Sequence, residues 1–226
     1  MRELICLLAM LVQVFAEVPS ESERQVILDC HTKLREEVTP TATNMQLLSY
    51  STKLEELAVE ALERYNGNSI QHDPKYTNSG AIYFTKDKTL QYSDLCNVRP
   101  AAYYSYTDRC ESDCYNYNQM VHAASTLVGC VKGVANNSEE PDVPLNIIVC
   151  IYEPDTLRLT APPYESGPTC SKCPEGHECY RNQCRMILPP STNESSTETS
   201  AATPTSKMLA LISLLHVTIF LLYQVN

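Results

Sequence analysis

The sequence predicts an α+β fold, and three stretches carry that prediction. Ser20 to Val38 and Thr52 to Tyr65 repeat apolar residues at helical spacing. Ile147-Ile-Val-Cys-Ile-Tyr152 is an almost unbroken apolar run of strand length. Between them, Cys114 to Cys130 opens on a polar, tyrosine-bearing turn, continues with Met120, Val121 and Ala124 at helical spacing, and ends in a strand at a cysteine.

Residues 1 to 16 read as a leader: Arg2 precedes an apolar run from Leu4 to Phe15, and Val14 and Ala16 occupy the -3 and -1 positions of a cleavage site. In the first helix, Ser20 and Glu23 have capping-box spacing, Val26, Ile27, Cys30, Leu34 and Val38 make an apolar stripe, and Pro40 stops it. By spacing alone His31 and Arg35 fall on a solvated face of this helix. The second helix starts with Thr52 and Glu55 at the same spacing, buries Leu54, Leu57, Ala58, Ala61, Leu62 and Tyr65, and closes at Gly67. Residues 81 to 85 form a short strand by composition. Pro100 interrupts any helix between Leu90 and Tyr106.

Ala135 to Pro144 is a loop joining the two apolar strands, and Asn136-Asn-Ser138 in it is a glycan acceptor. Neighbouring antiparallel strands bring Cys130 and Cys150 within bridging reach, so these two are the first pair to join. Cys170, Cys173, Cys179 and Cys184 crowd a segment too short to bury a core, so bridges must hold it. A zinc ribbon is the rival reading of Cys170 and Cys173, but Cys179 and Cys184 lack the matching spacing. Residues 187 to 207 are a Ser/Thr/Pro stalk with a second glycan acceptor at Asn193. Residues 208 to 226 are an apolar tail with no basic residue after it. Small residues and a polar spacer precede it, which favours a glycosylphosphatidylinositol anchor signal over a transmembrane helix.

The chain of 226 residues has room for one core of ordinary size plus these appendages. With Cys6 in the leader, the remaining ten of its eleven cysteines form an even, oxidised framework, which places the protein outside the cell or on its surface. A formal charge of -10 repels nucleic acid and anionic lipid alike and argues against both as electrostatic partners.

The stretches Cys114 to Cys130 and Ile147 to Pro154 resemble the two defining motifs of the CAP superfamily, the fold of cysteine-rich secretory proteins, venom allergens and plant pathogenesis-related proteins. The first motif reads Cys-Gly-His-Tyr-Thr-Gln, two apolar residues and Trp; the second reads apolar-Val-Cys-x-Tyr-x-Pro. Cys114, Tyr117, Gln119, Gly129, Cys130, Cys150, Tyr152 and Pro154 stand where the family has them, whereas Asn116 stands in place of the motif histidine. His31 and Arg35 are similar to the His-Asn-x-x-Arg of the family's first helix, with Thr32 for Asn, and the resemblance gives them a structural role. His72 and Gly80 also fit; Asn68 replaces a cysteine and Ala81 a glutamate.

The resemblance implies an α-β-α sandwich over residues 17 to 160, and a disulfide-rich hinge over 161 to 186 with pairs Cys170 to Cys179 and Cys173 to Cys184. With the cysteine of position 68 missing, the pairing of Cys30, Cys96, Cys110 and Cys114 stays open. Many members hold two histidines and two glutamates in an open cleft that can bind zinc. Here only His72 and Asn116 mark that cleft, a lone imidazole offers one ligand, and no metal or other cofactor is expected. Every mature cysteine reads as bridged, so no thiolate nucleophile emerges and no catalytic residue is assigned. The implied role is binding, of a sterol or fatty acid as CAP proteins do or of an extracellular protein partner. The aromatic stretch Tyr103, Tyr104, Tyr106, Tyr115 and Tyr117 is the candidate lipid surface, unless those rings only pack the loop on the core.

Overall fold

A four-stranded sheet with helices on both faces organises the chain. The computed structural model describes residues 16–65, 70, 73–86, 89–99, 114–136, 143–155 and 161–187. Helix α1 spans Glu21–Glu36, β1 Ser49–Tyr50, α2 Thr52–Tyr65, β2 Gly80–Lys86, α3 Cys114–Met120, β3 Leu127–Ala135 and β4 Leu145–Glu153. A two-stranded hairpin, β5 His177–Tyr180 and β6 Gln183–Met186, follows, and 3-10 turns lie at Pro74–Tyr76 and Tyr92–Asn97. The sheet order is β1-β3-β4-β2, with β1 parallel to β3 and the other pairs antiparallel.

The apolar run of β4 is explained by its central place. Ile148, Cys150 and Tyr152 join the core on the α1 side, and Ile147, Val149 and Ile151 join the core under α2. A strand covered on both faces needs apolar residues at every position, not at alternate ones. Cys130 lies directly opposite Cys150 in the ladder, with Cα atoms 4.0 Å apart, and the two are bridged on the α1 face. Gly129 is required by the opposite face, where a Cβ would meet the backbone of Ser51, Leu54 and Glu55 at 2.2 to 2.6 Å. The sheet and α2 therefore touch backbone to backbone at this point.

Helix α1 carries its expected capping box: the Ser20 hydroxyl accepts from Glu23 N–H and the Glu23 carboxylate accepts from Ser20 N–H. Its buried face differs from the apolar stripe. Val26 is 36% exposed, whereas His31 and Arg35 are fully buried. Ile27, His31 and Arg35 form one i, i+4 row, and the sheet covers that row, so the solvated-face reading of His31 and Arg35 is corrected. At α2 the cap is Ser51, whose hydroxyl accepts from Leu54 N–H, not Thr52. Glu55 is free for another task and accepts two hydrogen bonds from the Arg24 guanidinium at 2.9 Å, tying the two helices across the sheet edge. Helix α3 stops at Met120; Val121 and Ala124, expected to continue it, lie in the following turn.

Cys30 is bridged to Cys96, which fastens α1 to the 3-10 turn Tyr92–Asn97. The two cysteines are 66 positions apart in sequence, and closing such a loop stabilises the fold by on the order of 4 kcal/mol in the chain-entropy picture. Cys114 is disulfide-bonded as well. Cys110 lies outside the described residues.

The cysteine-rich segment is bridged Cys170 to Cys179 and Cys173 to Cys184. It is also laced along residues 41 to 47 by backbone hydrogen bonds. Thr43 N–H donates to Glu165 O, Gly167 N–H to Thr41 O, Lys172 N–H to Thr43 O, Cys184 N–H to Met45 O and Leu47 N–H to Cys184 O. Gln183 is fully buried and donates to Thr32 O at 3.2 Å, while Arg181 pairs with Glu36. The segment shares its packing and its hydrogen bonds with the sandwich and is no free-standing hinge.

Candidate functional site

Of the two cleft positions marked by the sequence, Asn116 is described and lies where α3 meets the outer edge of β2. Edge strands present unpaired N–H and C=O groups at alternate residues. At Tyr83 both are met by one side chain: the Asn116 amide oxygen accepts from Tyr83 N–H at 3.4 Å, and its amide nitrogen donates to Tyr83 O at 3.2 Å. Asn116 thus imitates a neighbouring strand, a role open to a primary amide because it carries a donor and an acceptor side by side. Tyr117 is one position on and only 8% exposed, within the α1-side core, which removes it from the candidate lipid surface. Its neighbour Tyr115 is partly exposed. Gln119 lies over the start of β2, fully buried, with neither amide atom hydrogen-bonded among the described residues, and a Cβ at Gly80 would meet that amide at 2.5 to 2.7 Å. A side chain at position 80 would displace the Gln119 amide.

His72, Tyr103, Tyr104, Tyr106 and Asn193 lie outside the described residues. Asn136 is exposed immediately after β3. Of the cleft positions that are described, Ala81 has no donor atom and the Asn116 amide is engaged with Tyr83. Among the described residues no three His, Cys, Asp or Glu side chains group where an ion could be held. These residues do not fit a zinc site.

The two motif residues of α1 have a different site, inside the fold. His31 donates from Nδ1 to Ile27 O at 2.7 Å, and its Nε2 accepts from the Tyr152 hydroxyl at 2.7 Å. Burial, and to a lesser degree the Arg35 charge, pushes this imidazole down to about 4. Arg35 donates from Nη1 to Met120 O and His122 O and from Nη2 to Gln46 O, at 2.7 to 3.0 Å. One guanidinium thereby closes the turn after α3 onto α1. Burial lowers its pKa to about 9, so it stays charged at neutral pH.

Sequence reasoning missed His122, which occupies the place where the resembled motif has Trp. Its Nδ1 is 3.2 Å from the Ser125 hydroxyl, which donates to Pro154 O, and burial holds the imidazole below its ordinary value. The ring lines a cleft of about 510 Å³ together with Asn44, Pro163, Tyr164 and Glu165. The signal in the sequence was the missing Trp of the motif.

Sheet, flanking helices and bridge pattern together define a CAP-type sandwich. The chain belongs to the cysteine-rich secretory protein family, whose CAP model matches residues 28–152, more than half of its length. It is 28% identical over 196 residues to human cysteine-rich secretory protein LCCL domain-containing 1, covering 73% of this chain but 37% of that protein. It is 27% identical to bovine GLIPR1-like protein 1, covering 75% of each. Among solved structures, the crystal structure of NaASP2 with Zn2+ superposes with a TM-score of 0.55 at 22% identity, over 74% of this chain and 96% of that one. At that identity the likeness establishes the fold alone. The chain thus spans little more than a third of the first of these relatives. Among the described residues no helix is long and apolar enough to cross a membrane.

Proposed function

We propose that this protein is a non-enzymatic extracellular recognition module, held at a cell surface by its apolar tail, that engages a sterol or fatty acid. The observation that carries this reading is the Asn116 clamp on Tyr83: the position that could have supplied a second imidazole is a structural tie in this chain. The buried His31 and Arg35 are likewise bound to internal partners. The lipid surface in this reading is the stretch Tyr103, Tyr104, Tyr106 and Tyr115, whose ring faces would cover a flat ligand while hydroxyls face water.

Native mass spectrometry of the glycosidase-treated protein tests it. A mass increment equal to a sterol or fatty acid is the expected result. A bare polypeptide mass, unchanged after incubation with cholesterol or palmitate, would replace this reading with that of a pocketless adhesion or immunomodulatory ligand. A hydrolytic turnover abolished by His72→Ala would replace it with an enzyme.

A further inference from the structure

The side of β3 that faces away from β4 offers backbone groups at alternate residues, Val128, Cys130, Lys132 and Val134. Three of these are met by three different devices. Ser51 N–H donates to Val128 O at 2.8 Å. The Tyr50 hydroxyl accepts from Cys130 N–H at 3.3 Å. Glu17 exchanges two backbone bonds with Lys132, at 2.7 and 3.3 Å. At Val134 no group among the described residues bonds to this edge, and its side chain is 36% exposed. The surface there is a groove of about 610 Å³, lined on one side by Gly133 and Val134, on the other by Thr89, Leu90 and Gln91, and ended by Ala16 and Glu17.

The register of this groove is set. The Glu17–Lys132 bridge is antiparallel, so a strand continuing beyond Glu17 places its next residue beside Gly133 and the following one beside Val134. Alternate positions face opposite sides of the sheet. Ala16 packs against the core cluster under α2, which makes its place a socket for a small side chain. The position beside Val134 faces Leu90 and suits an apolar one.

We propose that the mature protein uses this groove to bind the C-terminal end of an extended peptide as an added antiparallel strand. The inference rests on the reading of residues 1 to 16 as a leader cut after Ala16. That cut turns Glu17 N into an ammonium with three donors, of which one already serves Lys132 O. The remaining donors, and the new positive charge, face the place that Ala16 vacates. A peptide running antiparallel to β3, as Glu17 does, ends there with its carboxylate, so charge meets charge at the end of the strand. Lys132 itself is engaged by Glu17 and Glu23, at 3.0 and 3.5 Å, so the α-ammonium is the group that reads the carboxylate. The preferred ligand has a small last residue and an apolar one before it.

The test uses the full chain expressed from its own leader, with its first residue determined by mass spectrometry. The probe is the tetrapeptide Gln-Val-Phe-Ala, the sequence of residues 13 to 16, with a free carboxylate. The expected result is saturable binding with slowed hydrogen exchange at the Val134 amide, weakened about tenfold by C-terminal amidation of the peptide. Val134→Pro, which removes the outward N–H at an edge position, should weaken binding to a similar degree. A chain made to begin at Val14 should not bind, because its own residues fill the groove. No binding, equal binding of the amidated peptide, or protection away from Val134 overturns the proposal. If the secreted chain begins elsewhere, the leader reading fails instead, and a chain cut to begin at Glu17 by an introduced protease site tests the groove by itself.

Discussion

The Nε2 of His31 and the hydroxyl of Tyr152, 121 residues apart in sequence, are 2.7 Å from each other in the centre of the sandwich. With Nδ1 donating to Ile27 O, the neutral ring has both nitrogens in use, and a second proton would break the Tyr152 bond. The unfolded chain protonates this imidazole near its ordinary 6.5, whereas the folded one resists until about 4. Because the folded value is depressed, stability is complete above about pH 6.5 and declines as pH falls toward 4. The loss across that window is about 3 kcal/mol. His122, lowered by burial too, acts in the same direction. Urea midpoints at pH 7.5 and pH 4.5 should differ accordingly, and His31→Gln should flatten the difference; an unchanged pH dependence in that variant would assign the effect to other groups.

Asn116→Ala removes both bonds to the Tyr83 backbone. The expected cost is about 1 to 2 kcal/mol, with faster hydrogen exchange at the Tyr83 amide. Asn116→Asp keeps the acceptor but sets a carboxylate against Tyr83 O, and should cost more. If both variants match the parent protein in urea unfolding, Asn116 is no strand clamp.

Gly129→Ala places a methyl group within 2.6 Å of three backbone atoms of the α2 region. Backbone cannot rotate aside as a side-chain tip can, so α2 must lift from the sheet. Destabilisation of about 3 kcal/mol or more is expected, seen as low secretion and an early urea midpoint. A variant within 0.5 kcal/mol of the parent, roughly the range of ordinary surface substitutions, would contradict the close approach.

A chain ending at residue 160 should fold poorly. It lacks the partners of Thr43 N–H, Leu47 N–H and Met45 O, and it exposes Thr32 O, now met by Gln183. Unmet backbone groups that were internal cost about 1 to 3 kcal/mol each where water cannot reach them. Comparison of secreted yield and thermal midpoint for chains ending at 160 and at 187 decides this, and equal midpoints would make the cysteine-rich segment a separate module.

The amino-acid order alone determined the elements that depend on near neighbours. The capping box at Ser20 and Glu23, the extent of α2, the strand after Gly80 and the cross-strand bridge of Cys130 with Cys150 follow from spacing and composition. The tertiary structure decided where polar groups find their partners. His31 and Arg35 are buried because Tyr152 and the carbonyls of Met120 and His122, supplied by distant strands and turns, complete their hydrogen bonds; without those partners burial of either would be too costly. Asn116, Tyr50 and Glu17 likewise became substitutes for missing strand neighbours only when the sheet set their distances. Periodicity reports which side of an element is apolar. It cannot report which polar side chain will be met by a partner a hundred residues away, since that depends on the folded geometry of both.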